Sequence, residues 1–473
     1  MPTGPGGPGQ EADPIIWSTC PAGMTTSTDG DSAVLLDCGG VTVPVSYSDP
    51  EQGSFTLRAA RARVPGLAAD ATPLVVIPGD PGQFGRSQIR AVASALPADV
   101  RQHFAIITVD LRGTGSSDGF DCVSDSTARA IVGLAADPTT SVGAAQLQAI
   151  ARQLTFDCGD LVGPPLTQYN TTNAADDLDS LRSALGRSTL NLMTQGYGAT
   201  LGAIYADRYP GRVDLMTLDT PTDPLSQPSD RAAASAKAAE GLLDDFAAAC
   251  ASFTGGCPLG SNPRDTITKI VSRLAVSGDR SGEWTITGGS VLLALLAMLP
   301  NQSQWPDLAK AIAALDESNP DPLAALLVDA LGGDQITEHL TGRILFSCND
   351  STQRLSDSDI SSAVSSLRSS APLFGPISLS LAGLCSAWPA PDAAIGAVKA
   401  AGAPGMLVLG AVKNSTHPYS GVQSLAGQLA SAVLVSWQSG ADTTYPTSGC
   451  VTTIVDAYLL QRTMPAMGTL CPP

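Results

Sequence analysis

Residues 190 to 210, "LNLMTQGYGATLGAIYADRYP", join a short apolar run to a longer helical one through a turn with glycine at 196 and 198. A run this short, ended by turn residues, reads as an interior strand, and the segment after the turn has the length and composition of a helix. Two earlier segments, "TPLVVIPGDPGQFG" and "FAIITVDLRGTGSSD", repeat the continuous apolar run and the glycine-rich turn. Strands without alternation belong inside a parallel sheet, where the functional loops leave the carboxyl ends. Between them and residue 190, "AADDLDSLRSALG" sets Leu178, Leu181 and Leu185 at helical spacing before a glycine stop. The fold class is therefore α/β with a mostly parallel sheet.

After "VDLMTLDTPTDP" the next convincing core strand is "GMLVLGA" at 405–411. The long interval carries helical patterns such as "DRAAASAKAAEGLLDDFAAACASF" and "WPDLAKAIAALDE", so it reads as an inserted helical cap. The predicted organisation is a Gly/Pro-rich tether over 1–14, a first part of the core over 15–224, the cap over 225–400 and the rest of the core over 401–473.

The charge balance is acidic, 44 Asp+Glu against 26 Lys+Arg for a net −18, which repels phosphate backbones and argues against a nucleic-acid partner. Ten cysteines point to an oxidising compartment. Their order offers the neighbouring pairs Cys20–Cys38, Cys122–Cys158, Cys250–Cys257, Cys348–Cys385 and Cys450–Cys471. Zinc is the rival reading, disfavoured by the lack of any C-x-x-C and by only three histidines, His103, His339 and His417; no metal and no cofactor are expected. The longest wholly apolar run, Val291 to Leu299, is too short to span a bilayer. The start has no basic region followed by an apolar run, so an extracytoplasmic chain implies a signal peptide or lipid anchor removed upstream.

A strand, sharp turn and helix of this kind present the nucleophile of a hydrolase when the turn reads G-x-S-x-G. Here those places are Thr194-Gln195-Gly196-Tyr197-Gly198. The order of "PGDPGQFG", "VDLRGTGSSDGFDC", "YNTTNAADDLDSLRSALG", "GYGATLGAIYADRYPGRVDLMTLDTPTDP", "ILFSCND", "CSAWP" and "CVTTIVDAYLLQRTMPAMGTLCP" resembles the secreted actinobacterial tripeptidyl aminopeptidase-like α/β hydrolases, related to proline iminopeptidases, from about residue 17 to the end. The resemblance implies an α/β-hydrolase fold with a serine, an acid and a histidine at set places. It puts the serine at Gly196, the acid at Lys413 or Asn414 in "GAVKNSTHPYSGV", and the histidine in "SWQSGADTTYP", which offers Asp442. All three roles are replaced.

The oxyanion loop departs too, as Gly79-Asp80-Pro81-Gly82-Gln83-Phe84-Gly85. Asp80 sets a carboxylate where backbone N–H groups should meet a developing negative oxygen, a repulsion of about 4 kcal/mol at ~4 Å and an effective dielectric near 20. If both loops keep the family geometry, Lys413 and Asp442 converge on Gly196 as an ion pair. Ser116, Ser117 and Thr200 have no histidine placed to activate them, and Asp110 and Arg112 read as structural. The expected function is a non-catalytic protein of the cell envelope or exterior, binding a peptide, lipid or protein partner at the old mouth through Asp80, Gln83, Phe84, Tyr197, His417 and Tyr445, or by its outer surface. The alternative is a secreted serine-hydrolase-like peptidase or esterase with relocated catalytic groups. Fold alone does not choose between them.

Overall fold

The computed structural model describes residues 12–21, 24, 34–77, 79–83, 85–275, 278–391 and 394–473. Strands are β1 (Ser18–Thr19), β2 (Leu35–Pro44), β3 (Ser54–Arg63), β4 (Pro73–Ile77), β5 (Ala105–Val109), β6 (Leu190–Gln195) and β7 (Val213–Asp219). A small hairpin of β8 (Asp279–Ser281) and β9 (Trp284–Ile286) lies among helices, and β10 (Met406–Ala411), β11 (Ala432–Trp437) and β12 (Thr469–Cys471) return to the sheet. Among the described residues the main sheet runs β1-β2-β3-β5-β4-β6-β7-β10-β11-β12. Pairing is antiparallel from β1 to β5 and parallel from β5 onward. The chain thus has the α/β-hydrolase fold, with a mostly parallel sheet.

The continuous apolar strands have this composition because both faces are covered. In β4, Val75 and Ile77 pack with the helices Thr171–Ala184 and Tyr197–Arg208, whereas Leu74 and Val76 pack with Ile89 and Ala93 of the helix Gly85–Ala95. A separate core joins helices between β7 and β10, notably Pro228–Cys250, Gly288–Met298, Ile336–Asn349 and Phe374–Gly383. It also takes in Val123, Leu147, Leu154 and Leu166 from the segment after β5. That contribution lies outside the 225–400 interval because the helix Ser141–Val162 buries one side against the cap rather than against the sheet.

All ten cysteines are bonded in the neighbouring pairs that their order offered. Among the described residues no helix is long and apolar enough to cross a membrane. The reading of 1–14 as a tether falls almost wholly outside the described residues.

Candidate active site

Gly196 ends β6 at φ 53° and ψ −122°, a left-handed conformation that costs glycine little, and the helix Tyr197–Arg208 begins at the next residue. The turn is pinned by the Gly196 N–H to the Asp219 carbonyl at 2.8 Å and the Gly198 N–H to the Gly79 carbonyl at 3.2 Å. One helical turn on, a Cβ at Gly202 would meet Leu218 Cδ2 and Thr194 Oγ1, each at 3.0 Å, so helix and strand touch closely there. The elbow keeps its shape and lacks a hydroxyl at its apex.

His417 takes that space. An ideal Cβ on Gly196 would lie 2.7 Å from His417 Nε2 and 3.1 Å from Gly79 Cα. The imidazole is buried, its Nδ1 sits 3.2 Å from Thr222 Oγ1, and its backbone N–H donates to Asn414 Oδ1 at 2.9 Å. The Asn414 amide donates in turn to the carbonyls of Ala441 (2.9 Å) and Asp442 (3.3 Å). A fully buried asparagine therefore ties the loop after β10 to the loop after β11. The expected Lys413–Asp442 pair is not formed: Lys413 Nζ reaches outward to Asp245 Oδ2 of the helix Pro228–Cys250 at 2.7 Å. Lys413 is exposed whereas Asp442 faces inward, so a lysine head stays in water and pairs at the rim.

The cap closes over this point. An ideal Cβ on Gly342, inside the helix Ile336–Asn349, would lie 2.7 Å from Gly82 Cα, and one on Gly82 would lie 2.1 Å from the His339 carbonyl. The same helix carries Arg343, whose Nη1 is 3.8 Å from Asp80 Oδ2. Burial works against ionising Asp80, but Arg343, His417 and His339 outweigh it and hold the carboxyl below its usual range. Burial, with Arg343 adding, lowers His339 to about 4 against the pull of Asp80, and burial also holds His417 below its ordinary value. Asp442 is pushed up to about 6 by burial, a hydrogen bond from Thr416 opposing and Asp80 adding; its Oδ1 is buried without a hydrogen-bond partner.

The other expected site residues divide. Gln83 turns back on the loop, donating its backbone N–H to the Asp80 carbonyl at 3.0 Å. Tyr197 borders the roofed space, its ring 5.3 Å from that of Phe346 and its hydroxyl bonded to Thr171 Oγ1. Tyr445 is no ligand edge: it is buried, its hydroxyl donates to Asp456 at 2.8 Å, and its carbonyl accepts from Gln195 Nε2 at 3.1 Å. Packing of an aromatic ring behind the turn won over display at the mouth. Phe84 lies outside the described residues. Ser117 bonds the Asp110 carbonyl, Thr200 bonds the Thr222 carbonyl, and Arg112 forms a buried pair with Asp177, all structural uses.

His339 was weighed in the sequence only as a zinc ligand and not at this site, and Arg343, Thr222 and Asp219 gave no reading as site residues. Asp219 accepts from the Thr444 N–H and hydroxyl and the Tyr445 N–H, while burial raises it to about 7 against those donors. The one local signal that points to the contact of the cap with the oxyanion loop, not read from the sequence above, is Gly342 inside a helical segment, since such a glycine often has a packing reason.

The family models that match this chain agree with this architecture. Residues 72–266 match the family described as alpha/beta hydrolase fold, and residues 371–471 the family described as TAP-like protein. The chain is 27% identical to the serine protease Hip1 of Mycobacterium tuberculosis, over 97% of this chain and 91% of that protein. It is 31% identical over 215 residues to the tripeptidyl aminopeptidase of Streptomyces coelicolor, covering 44% of this chain and 38% of that one. The solved proline iminopeptidase of Mycobacterium smegmatis aligns over 89% of this chain and 98% of its own at 13% identity, with a TM-score of 0.40.

Proposed function

The chain belongs to the TAP-like α/β-hydrolase proteins, and from that premise we propose that it is an extracytoplasmic binding protein built on a peptidase scaffold, without serine-based turnover. One observation carries the reading: the apex of the elbow is Gly196, and the space its side chain would need is held by His417 Nε2. Acyl transfer by this fold needs a hydroxyl at that apex, a histidine to take its proton and a carboxylate to orient the histidine. We assign Gly196, Lys413 or Asn414, and Asp442 to those three places. The five disulfides support a location outside the cytoplasm, secreted or at the cell envelope.

The second reading is a peptidase or esterase with relocated catalytic groups. Similarity to a serine protease over nearly the whole chain supports it, and the comparisons by themselves favour it over the first. One experiment separates the two. A fluorophosphonate probe is expected to leave the protein unlabelled, and a panel of ester and aminopeptide substrates is expected to remain uncut. Stoichiometric labelling of a serine or threonine, or turnover lost on His417→Ala, establishes the second reading instead.

A further inference from the structure

The helix Ser141–Val162 buries Leu147, Ile150, Leu154 and Cys158 against the cap and turns its other side to water. Three of the eight large apolar side chains exposed among the described residues, Val142, Phe156 and Leu161, are on this one helix, so the exposure is concentrated rather than scattered. Phe156 is 68% exposed, and it is the one exposed ring among the described phenylalanines, tyrosines and tryptophans. Arg152 and Asp160 stand four residues to either side of it, on the same face. Both are exposed, and neither forms an ion pair among the described residues. The neighbouring acid, Asp157, is held by Gln153 Nε2 at 2.7 Å.

Gly159 lies beside Phe156, three residues on. An ideal Cβ there would meet nothing within 4 Å beyond its own stretch of helix. No packing inside the chain therefore calls for a glycine at a helical position where it is weaker than alanine.

Arg152, Phe156 and Asp160 together are their own complement. In two copies related by a two-fold axis through Phe156, with these helices antiparallel, each Arg152 meets Asp160 of the other copy. The two Phe156 rings then lie against each other over the space that Gly159 leaves open. The spacing agrees, because Arg152 and Asp160 are each about 6 Å along the helix from Phe156. Copies of a chain with net charge −18 repel, so a self-contact needs a patch where opposite charges meet, and these two cancel.

We infer that the protein pairs with a second copy of itself through this face, with Phe156 at the centre and two Arg152 to Asp160 ion pairs at the rim. The helix packs on the cap, so the contact joins cap to cap and does not depend on whether the elbow turns over a substrate.

Sedimentation velocity of the full chain over a concentration series is expected to show a monomer–dimer equilibrium in the micromolar range. Phe156→Ser should leave only monomer at concentrations where the native chain is dimeric, with unchanged melting of the dilute monomer because the ring is mostly in water. Arg152→Asp and Asp160→Arg should each weaken the dimer about tenfold, as two exposed charge pairs are lost at once, and the two together should restore it. Gly159→Gln should weaken dimerisation while the dilute monomer melts no lower than the native chain. A monomer at every concentration leaves the face to some other partner and overturns the inference. A dimer indifferent to Phe156→Ser or Gly159→Gln overturns it too, as does a doubly reversed chain that dissociates as readily as the single variants.

Discussion

At the scale of single residues, Gly196 and His417 are one feature seen from two sides. A serine at 196 needs room that the imidazole fills, and it takes a positive φ that glycine adopts freely and a serine only under strain. Gly196→Ser is therefore expected to lower stability by about 1–3 kcal/mol in a denaturant melt and to restore no activity. Pairing it with His417→Ala should recover most of the loss, because the blocking ring is gone; equal destabilisation of both variants would mean that the contact is not the cause. Asp442 supplies a second test. Its folded carboxyl sits near 6 against an ordinary 3.8, so the native state holds this proton more tightly than the unfolded chain does. Stability from this group is present below about 4 and is lost as pH rises toward 6. Asp442→Asn is expected to stabilise by about 1–2 kcal/mol at pH 8, after discounting for partial exposure, and to change little at pH 4. A gain that is the same at both pH values rejects the assignment. The missing hydroxyl was legible in the sequence because the elbow pattern is local. The plug was not, because His417 arrives from a loop more than two hundred residues away and nothing local says which way it turns.

The elements around the elbow show where sequence reasoning runs out. Strands β4, β5 and β6 were legible as continuous apolar runs, since burial on both faces leaves no room for alternation. The helix Ile336–Asn349 was legible as part of a helical cap, but its seat on the oxyanion loop was not, because that contact is made by glycine backbones and leaves no hydrophobic period. A glycine inside a helix normally gains about 1 kcal/mol when replaced by alanine. At Gly342 the sign should reverse, because the new Cβ would meet Gly82 Cα at 2.7 Å, which is backbone and cannot swing away. Gly342→Ala is expected to cost about 1–3 kcal/mol and to raise amide exchange in both the helix and residues 79–83. A stabilised variant with unchanged exchange would show that the helix does not rest on the loop.

Across the whole molecule, the crosslinks divide in a way that predicts how it comes apart. Cys20–Cys38 staples the β1–β2 edge of the sheet, and Cys450–Cys471 ties the helix Gly449–Gln461 to β12 at the other edge. Edge strands are short of partners, so a covalent tie there replaces missing neighbours. The remaining three bonds, Cys122–Cys158, Cys250–Cys257 and Cys348–Cys385, hold the helical core. The central strands β4, β6, β7 and β10 contain no cysteine and lean on apolar packing and ladder hydrogen bonds. The pairing was legible as chain order, but this division of labour was not, because it depends on where the strands sit in the sheet. Closing loops of 36 and 37 residues stabilises the cap by about 3–4 kcal/mol per bond in the chain-entropy account. Reduction should therefore loosen the cap and the two edges first, while the middle of the sheet persists. Mild reductant is expected to split the thermal melt in two, and hydrogen exchange should show the helices Gly288–Met298 and Phe374–Gly383 losing protection ahead of β6 and β7. Because the helix Ile336–Asn349 roofs the elbow, the same step should open His417 to modification by an imidazole-directed reagent before the sheet unfolds. A single transition in which β6 exchanges together with the cap would show that the cap does not yield separately, and with it that the roof over His417 is part of the sheet's own cooperative unit.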